Sequence, residues 1–226
     1  EQINLAQDET ITCNQIAFFT NQIYLGNYTF KINGNLIADG ARSVLVSGGT
    51  LDITENAFFS VGNEIYVSSG TLQVGGDMTL ESGKLRLYRE SKTVVEGDFV
   101  LRGTGLVYTD TYYSNPQLTI GKNFRISTAS KSSFNMGTLT VGGDLLQKEG
   151  AAKDSFYVTS NYQVNFNGKG PQKLELSYPE TSYLGNLDFR QSVGVTVPEE
   201  IHGYNIKGLS QIQTGGILRL YMDRMN

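Results

Sequence analysis

Thr71-Leu72-Gln73-Val74-Gly75-Gly76-Asp77-Met78-Thr79-Leu80 is answered 21 residues later by Lys92-Thr93-Val94-Val95-Glu96-Gly97-Asp98-Phe99-Val100-Leu101. Both stretches alternate apolar with polar residues up to a Gly-Asp pair, then start a second apolar alternation. Counting outward in steps of 21 from Asp77 and Asp98 reaches Asn56, Asn35 and Asn14 on one side. On the other side, after one insertion of four residues, it reaches Asn123, Asp144, Asn165 and Asn186. Three positions before these nine residues stand Ile11, Ile32, Ile53, Val74, Val95, Ile120, Val141, Tyr162 and Tyr183. A fixed period of this length, rich in Val, Ile and Gly and without helical spacing, is the signature of stacked β-coils.

Each unit offers three strips in which every second residue is apolar, the pattern of a strand with one buried face. The first precedes the Asn or Asp (Leu51 to Ile53, Leu118 to Ile120), and the second follows it (Met78 to Leu80, Phe124 to Ile126). The third lies nine to eleven residues beyond it (Val44 and Val46, Ile65 and Val67). The fold predicted is therefore all-β: a single-stranded right-handed parallel β-helix of about ten coils of ~21 residues, three short strands per coil, its hand set by the crossover rule. At the strand spacing of about 4.8 Å per coil the rod would be on the order of 50 Å long. Corner positions explain 26 glycines beside four prolines, because a left-handed turn suits glycine and a proline removes an inter-coil hydrogen bond.

The register also assigns a structural ladder, Asn14, Asn35, Asn56, Asp77, Asp98, Asn123, Asp144, Asn165 and Asn186, whose short side chains are expected to accept turn amides and bond to the next coil. Asp77 and Asp98 would be adjacent like charges, and a cation between them is conceivable. No third carboxylate adjoins them in register, where Asn56 and Asn123 flank the pair, and the known calcium-binding β-helix nonapeptide is absent, so neither a metal nor another cofactor is expected.

One domain spanning 1–226 is the simplest organisation, with a loop insertion at about 103–117 and irregular last coils at about 198–226. The open strand edges of a solenoid call for a cap, a neighbouring domain or another copy. Eighteen Lys and Arg against 22 Asp and Glu give a net charge of −4 with no basic run, which argues against a nucleic-acid partner. No apolar stretch approaches the roughly 20 residues of a bilayer span, so no membrane insertion is expected. Cys13 lacks a second cysteine to pair with and reads as a small corner residue. The chain opens on Glu1 without a leader, as a mature or trimmed fragment would.

A stretch from Gly137 to Val197 resembles repeats of large secreted and surface-anchored proteins of Gram-positive bacteria. The likeness is carried by Gly137-Thr138-Leu139-Thr140-Val141-Gly142-Gly143-Asp144-Leu145-Leu146-Gln147, Ser155-Phe156-Tyr157-Val158-Thr159-Ser160 and Val164-Asn165-Phe166-Asn167-Gly168-Lys169-Gly170-Pro171-Gln172. It continues through Tyr183-Leu184-Gly185-Asn186-Leu187-Asp188-Phe189 and Gly194-Val195-Thr196-Val197, and the Val-x-Gly-Asp coils before it match more loosely. The resemblance implies an extracellular scaffold within a larger surface protein, and it brings no catalytic residues.

Many parallel β-helices degrade pectin, and such chemistry needs several acids and bases on one face of adjacent coils. Columns of charge at a separation of 21 are few: Asp154 with Glu175 beside Ser133 and Thr196, Lys31 with Asp52, and Arg89 with Asp110. His202 is the one histidine and has no Ser or Cys partner in sight. The expectation is a non-enzymatic module.

Between the two inward residues of the third strip the side chain should face solvent, and Tyr24, Leu45, Tyr66, Arg86 and Tyr108 fill that column. Tyrosines on alternate coils would stand about 9.5 Å apart, near the disaccharide repeat of an extended glucan. Asp110, Tyr112 and Tyr113 in the adjacent insertion could add to such a strip, making a polysaccharide or glycan the candidate ligand. A cross-strand tyrosine ladder that merely stabilises the sheet explains the same column. A further reading is a stalk or filament subunit that self-associates through its ends or joins other domains.

Overall fold

The computed structural model describes residues 2–18, 22–39, 43–60, 62–110 and 114–222. The chain winds as a parallel β-solenoid in which each turn contributes strands to three faces, and 25 strands join in one hydrogen-bonded system. Glu200–Gly203 and Arg219–Met222 pair separately. Among the described residues the sole helical element is the 3-10 turn Leu209–Gln211.

The first face holds Thr50–Ile53, Thr71–Val74, Lys92–Val95, Gln117–Ile120 and Gly137–Val141. The second holds Ala57–Phe59, Met78–Leu80, Phe99–Gly103, Phe124–Thr128 and Leu145–Gln147. The third holds Ser43–Ser47, Glu64–Ser68, Lys84–Tyr88, Leu106–Thr109 and Ser133–Phe134. Alternation decides what each strand buries. Ile32, Ile53, Val74, Val95, Ile120 and Val141 stack in one interior column at no more than 1% exposure. Removing each such side chain from water stabilises the rod by roughly 1.5–3 kcal/mol.

The period holds in the first half of the chain and then lengthens at particular corners. On the first face Val141 is followed by Phe166, not by Tyr162, which instead lies opposite Gly137. On the second face Leu145 is followed by Leu174, because Lys148 to Ser155 and Asn167 to Pro171 add residues at two corners. The buried Gln147 closes the first of these insertions: its amide donates to Ser155 Oγ at 3.0 Å and accepts from Ser182 Oγ at 3.2 Å. Where the turns lengthen, the interior passes from Val and Ile to aromatic rings. Phe99 stacks on Phe124 at 5.3 Å, and Phe134 meets Phe124, Phe156 and Tyr162 edge-on. The Tyr162 hydroxyl is buried without a hydrogen-bond partner, and burial drives its phenol well above the ordinary value.

The described strands bear on three finer sequence expectations. Within the insertion expected at about 103–117, Leu106–Thr109 forms a paired strand, with a turn at 104–105 and the described residues 110 and 114–116 outside any strand. Within it, 111–113 lie outside the described residues, and Tyr112 and Tyr113 with them. The last coils, expected to be irregular over about 198–226, pair in parallel through Asn205–Lys207, Ile212–Gln213 and Arg219–Met222 on steps shorter than 21, broken by the 3-10 turn Leu209–Gln211, and 223–226 lie outside the described residues. Cys13 lies within the continuous strand Glu9–Phe18 where its register shifts against Thr29–Ala38, opposite Gly34 at the corner between the first and second faces.

Candidate functional site

At the corner between the first and second faces an amide-acid ladder forms, shorter than the sequence count implies. Asn35 Oδ1 accepts from the Asn56 backbone N–H at 3.1 Å and from its Nδ2 at 3.0 Å. Asn56 Oδ1 accepts from Asp77 N–H at 2.8 Å, Asp77 Oδ1 from Asp98 N–H at 2.7 Å, and Asp98 Oδ1 from Asn123 N–H at 3.0 Å. Asn123 Oδ1 then accepts from Asp144 N–H at 2.9 Å, and Asp144 Oδ1 from Lys173 N–H at 2.7 Å. These acceptors also explain the preceding glycines. A Cβ at Gly76, Gly97 or Gly143 would collide with the side-chain oxygen of Asn56, Asp77 or Asn123 one turn below. Close approach, and not the left-handed turn expected from composition, selects glycine there.

Asn14, Asn165 and Asn186 do not continue this chain of acceptors. Gln15 lies opposite Asn35, so Asn14 contributes only its carbonyl oxygen, which accepts from Asn35 Nδ2 at 2.9 Å. Asn165 pairs with Thr140 in an outward column of the first face, and Asn186 with Gln163. The longer turns placed them 21 residues on by count but on another part of the coil.

The Asp77–Asp98 pair does not have the charge balance of a cation site, since Arg125 Nε donates to Asp98 Oδ2 at 3.0 Å. Burial alone would raise the Asp98 carboxyl. The Asn123 N–H and the Arg125 guanidinium outweigh it and hold that carboxyl below the usual range. Among the described residues no three His, Cys, Asp or Glu side chains gather as metal ligands. The paired acids Asp154 and Glu175 take separate partners: Lys131 lies 3.7 Å from Asp154, and Lys148 and Lys173 lie 3.7 and 2.7 Å from Glu175. His202 Nε2 sits 2.6 Å from Glu200 Oε1 and its ring stacks on Tyr221 at 4.5 Å.

The third face carries the outward aromatic column. Strand pairing aligns Tyr24 with Leu45, Leu45 with Tyr66, Tyr66 with Arg86, and Arg86 with Tyr108, as the alternation predicts. Beyond Tyr108 the column continues through Ser133 to Tyr157. Further on, Tyr183 bridges to His202, which pairs with Tyr221. Tyr24 is 38% and Tyr221 41% exposed, while Tyr66, Arg86, Tyr108 and Tyr157 are half-buried by their neighbours.

Those neighbours are cations and another ring. The Arg86 guanidinium lies 5.6 Å from the Tyr66 ring centre and 5.8 Å from that of Tyr108. Tyr88, two residues on in the same strand, stacks on Tyr66 at 5.2 Å and stands 6.1 Å from Tyr108. Glu64 accepts from Arg86 and pairs with Lys84, each at 3.2 Å. The Lys131 ammonium lies 4.3 Å above the Tyr157 ring. A hydrogen bond with Tyr88, helped by burial, raises the Tyr66 phenol, and the Tyr88 hydroxyl also holds Arg86 in its charged form. Asp110, half-buried, follows the strand that ends at Thr109 and donates its backbone N–H to Leu87 O at 3.1 Å.

Tyr88, Lys131 and Tyr157 are the strip residues that counting misses. Tyr88 was open to the alternation rule, since it shares the outward parity of Arg86. Tyr157 was not, because a step of 21 from Ser133 leads to Asp154, whereas the longer turn brings Tyr157 into line. A separate open groove, lined by Gln15, Asn35, Leu36, Ile37, Asn56 and Phe58, runs along the second face beside the ladder. No protein-family model, curated protein or solved structure matches this chain.

Proposed function

We propose that the solenoid is a non-enzymatic extracellular scaffold and adhesion module, of the kind found in larger bacterial surface proteins, which contacts an extended polysaccharide along its third face. The observation that carries this reading is the outward column, with a tyrosine on every second coil from Tyr24 through Tyr66 and Tyr108 to Tyr157. Its repeat of about 9.5 Å is two strand spacings and suits a linear polymer lying along the rod. Phenol hydroxyls and ring edges offer hydrogen bonds beside apolar surface, the combination that sugars use. The non-enzymatic part rests on how the charged groups are spent: among the described residues they pair across coils as Lys31–Asp52, Arg125–Asp98 and Lys84–Glu64 and do not converge on a reacting centre.

Affinity electrophoresis through soluble glycans and pull-down on insoluble ones test the reading. The parent chain should be retained, and a Tyr66→Ala, Tyr108→Ala, Tyr157→Ala triple variant should run free. Equal retention of the two removes the strip from the function.

A second reading, a stalk or filament subunit joined end to end, is favoured by a different observation. Partly buried Leu5 and Ile16 at one end of the stack, and Ile206, Ile212, Leu218 and Leu220 at the other, continue the interior columns toward open strand edges. Light scattering that rises with concentration and reports elongation supports it, and a monomer at all concentrations rejects it.

A further inference from the structure

Resting on the polysaccharide reading above, we infer that the polymer is acidic, carrying about one carboxylate per disaccharide, because cations already lie against the rings of Tyr66, Tyr108 and Tyr157 in the strip. A neutral glucan binds tyrosine by laying its C–H face on a free ring. Tyr66 and Tyr108 share Arg86 between them at 5.6 and 5.8 Å, Tyr88 stacks on Tyr66, and Lys131 covers Tyr157 at 4.3 Å. With those ring faces covered, the phenol hydroxyls and the N–H groups of the two cations are the recognising groups, and these favour anionic oxygen over a sugar face.

The spacing of the charges sets the repeat. Arg86 and Ser133 are two coils apart in the column, and Lys131 enters from the strand start beside Ser133. The strands that carry the two cations are thus offset by about 9.5 Å along the rod, twice the strand spacing. Their own counter-charges are incomplete or weak. Glu64 is shared between Arg86 and Lys84, leaving one positive charge unmatched. Lys131 and Asp154 are 3.7 Å apart with side chains 49% and 48% exposed, a pair that an incoming carboxylate can displace at small cost. A third cation, Lys153, lies over the Tyr178 ring at 5.7 Å and extends the chemistry toward the next coils.

The experiment compares hyaluronan, which alternates a uronic acid with a neutral sugar, with its carboxyl-reduced form and with a neutral β-1,4-glucan. Binding to the whole chain is read by affinity electrophoresis and fluorescence anisotropy. The acidic polymer should bind about tenfold tighter than its reduced form, equal to 1.4 kcal/mol, and should weaken steeply with salt. Arg86→Gln combined with Lys131→Gln should abolish that preference, Arg86→Lys should keep most of it, and circular dichroism melts confirm that each variant folds. Equal binding of native and reduced polymer, or a preference that survives the double Gln variant, overturns the acidic assignment while leaving a polysaccharide face. Failure of all three polymers to bind overturns the underlying reading as well.

Discussion

Asn123→Ala and Asn165→Ala place the register under direct test, because a count of 21 puts both residues in one ladder and the folded chain separates them. Asn123 Oδ1 accepts from Asp144 N–H at 2.9 Å, and its Nδ2 donates to Asp98 Oδ1 at 2.9 Å. Truncation removes both bonds and leaves the partly buried Asp144 amide without its acceptor. At about 0.5–1.5 kcal/mol net for each bond, the expected loss is roughly 1–3 kcal/mol. Asn165 stands in an outward column between Thr140 and Asp188 on a half-buried strand surface, so its truncation should change stability by no more than about 0.5 kcal/mol. Urea unfolding followed by far-ultraviolet circular dichroism gives the two stability changes. Hydrogen exchange at the Asp144 amide localises the effect, since each 1.4 kcal/mol of lost local protection speeds exchange about tenfold. Equal losses for the two variants, or unchanged exchange at Asp144 in Asn123→Ala, would refute the corner geometry.

Further outcomes follow from the same contacts. Val141→Asp puts a carboxylate into the fully buried column between Ile120 and Phe166, and should cost at least several kcal/mol and unfold neighbouring coils together, seen as a lowered melting temperature with loss of β-sheet signal. Asp144→Asn keeps the oxygen that accepts from Lys173 N–H and should melt within a few degrees of the parent, whereas Asp144→Ala should not. The Asp98 carboxyl is held below its unfolded value, so its contribution to stability is complete above the ordinary carboxylate pKa of about 3.9 and is lost as pH falls through the depressed folded value. Melting temperature measured against pH should therefore fall less steeply on the acid side for Asp98→Asn than for the parent chain. Gln147→Ala opens the buried contacts to Ser155 and Ser182 and should lower stability by roughly 1–3 kcal/mol in a urea titration.

The order of residues along the chain was sufficient for the class of fold, the three inward strips and the outward column from Tyr24 to Tyr108, because alternation and a repeat near 21 are local properties that each strand expresses on its own. It was also sufficient to place Asn35 to Asp144 over one another, since the corners between those coils either keep their length or carry a visible insertion. Beyond Asp144 the count fails for a physical reason: extra residues leave at corners without interrupting the apolar alternation, so the pattern survives while its phase is lost. Asn165 and Asn186 fell on the count, yet Lys173 took the next place above Asp144 and Tyr157 took the place above Ser133. Only the folded coil reveals that cations lie against the tyrosine rings, because Lys131 meets Tyr157 and Arg86 meets Tyr66 and Tyr108 across turns whose lengths differ. Stacking between turns is set by where each turn closes, and that closure depends on loops whose length carries no hydrophobic signal.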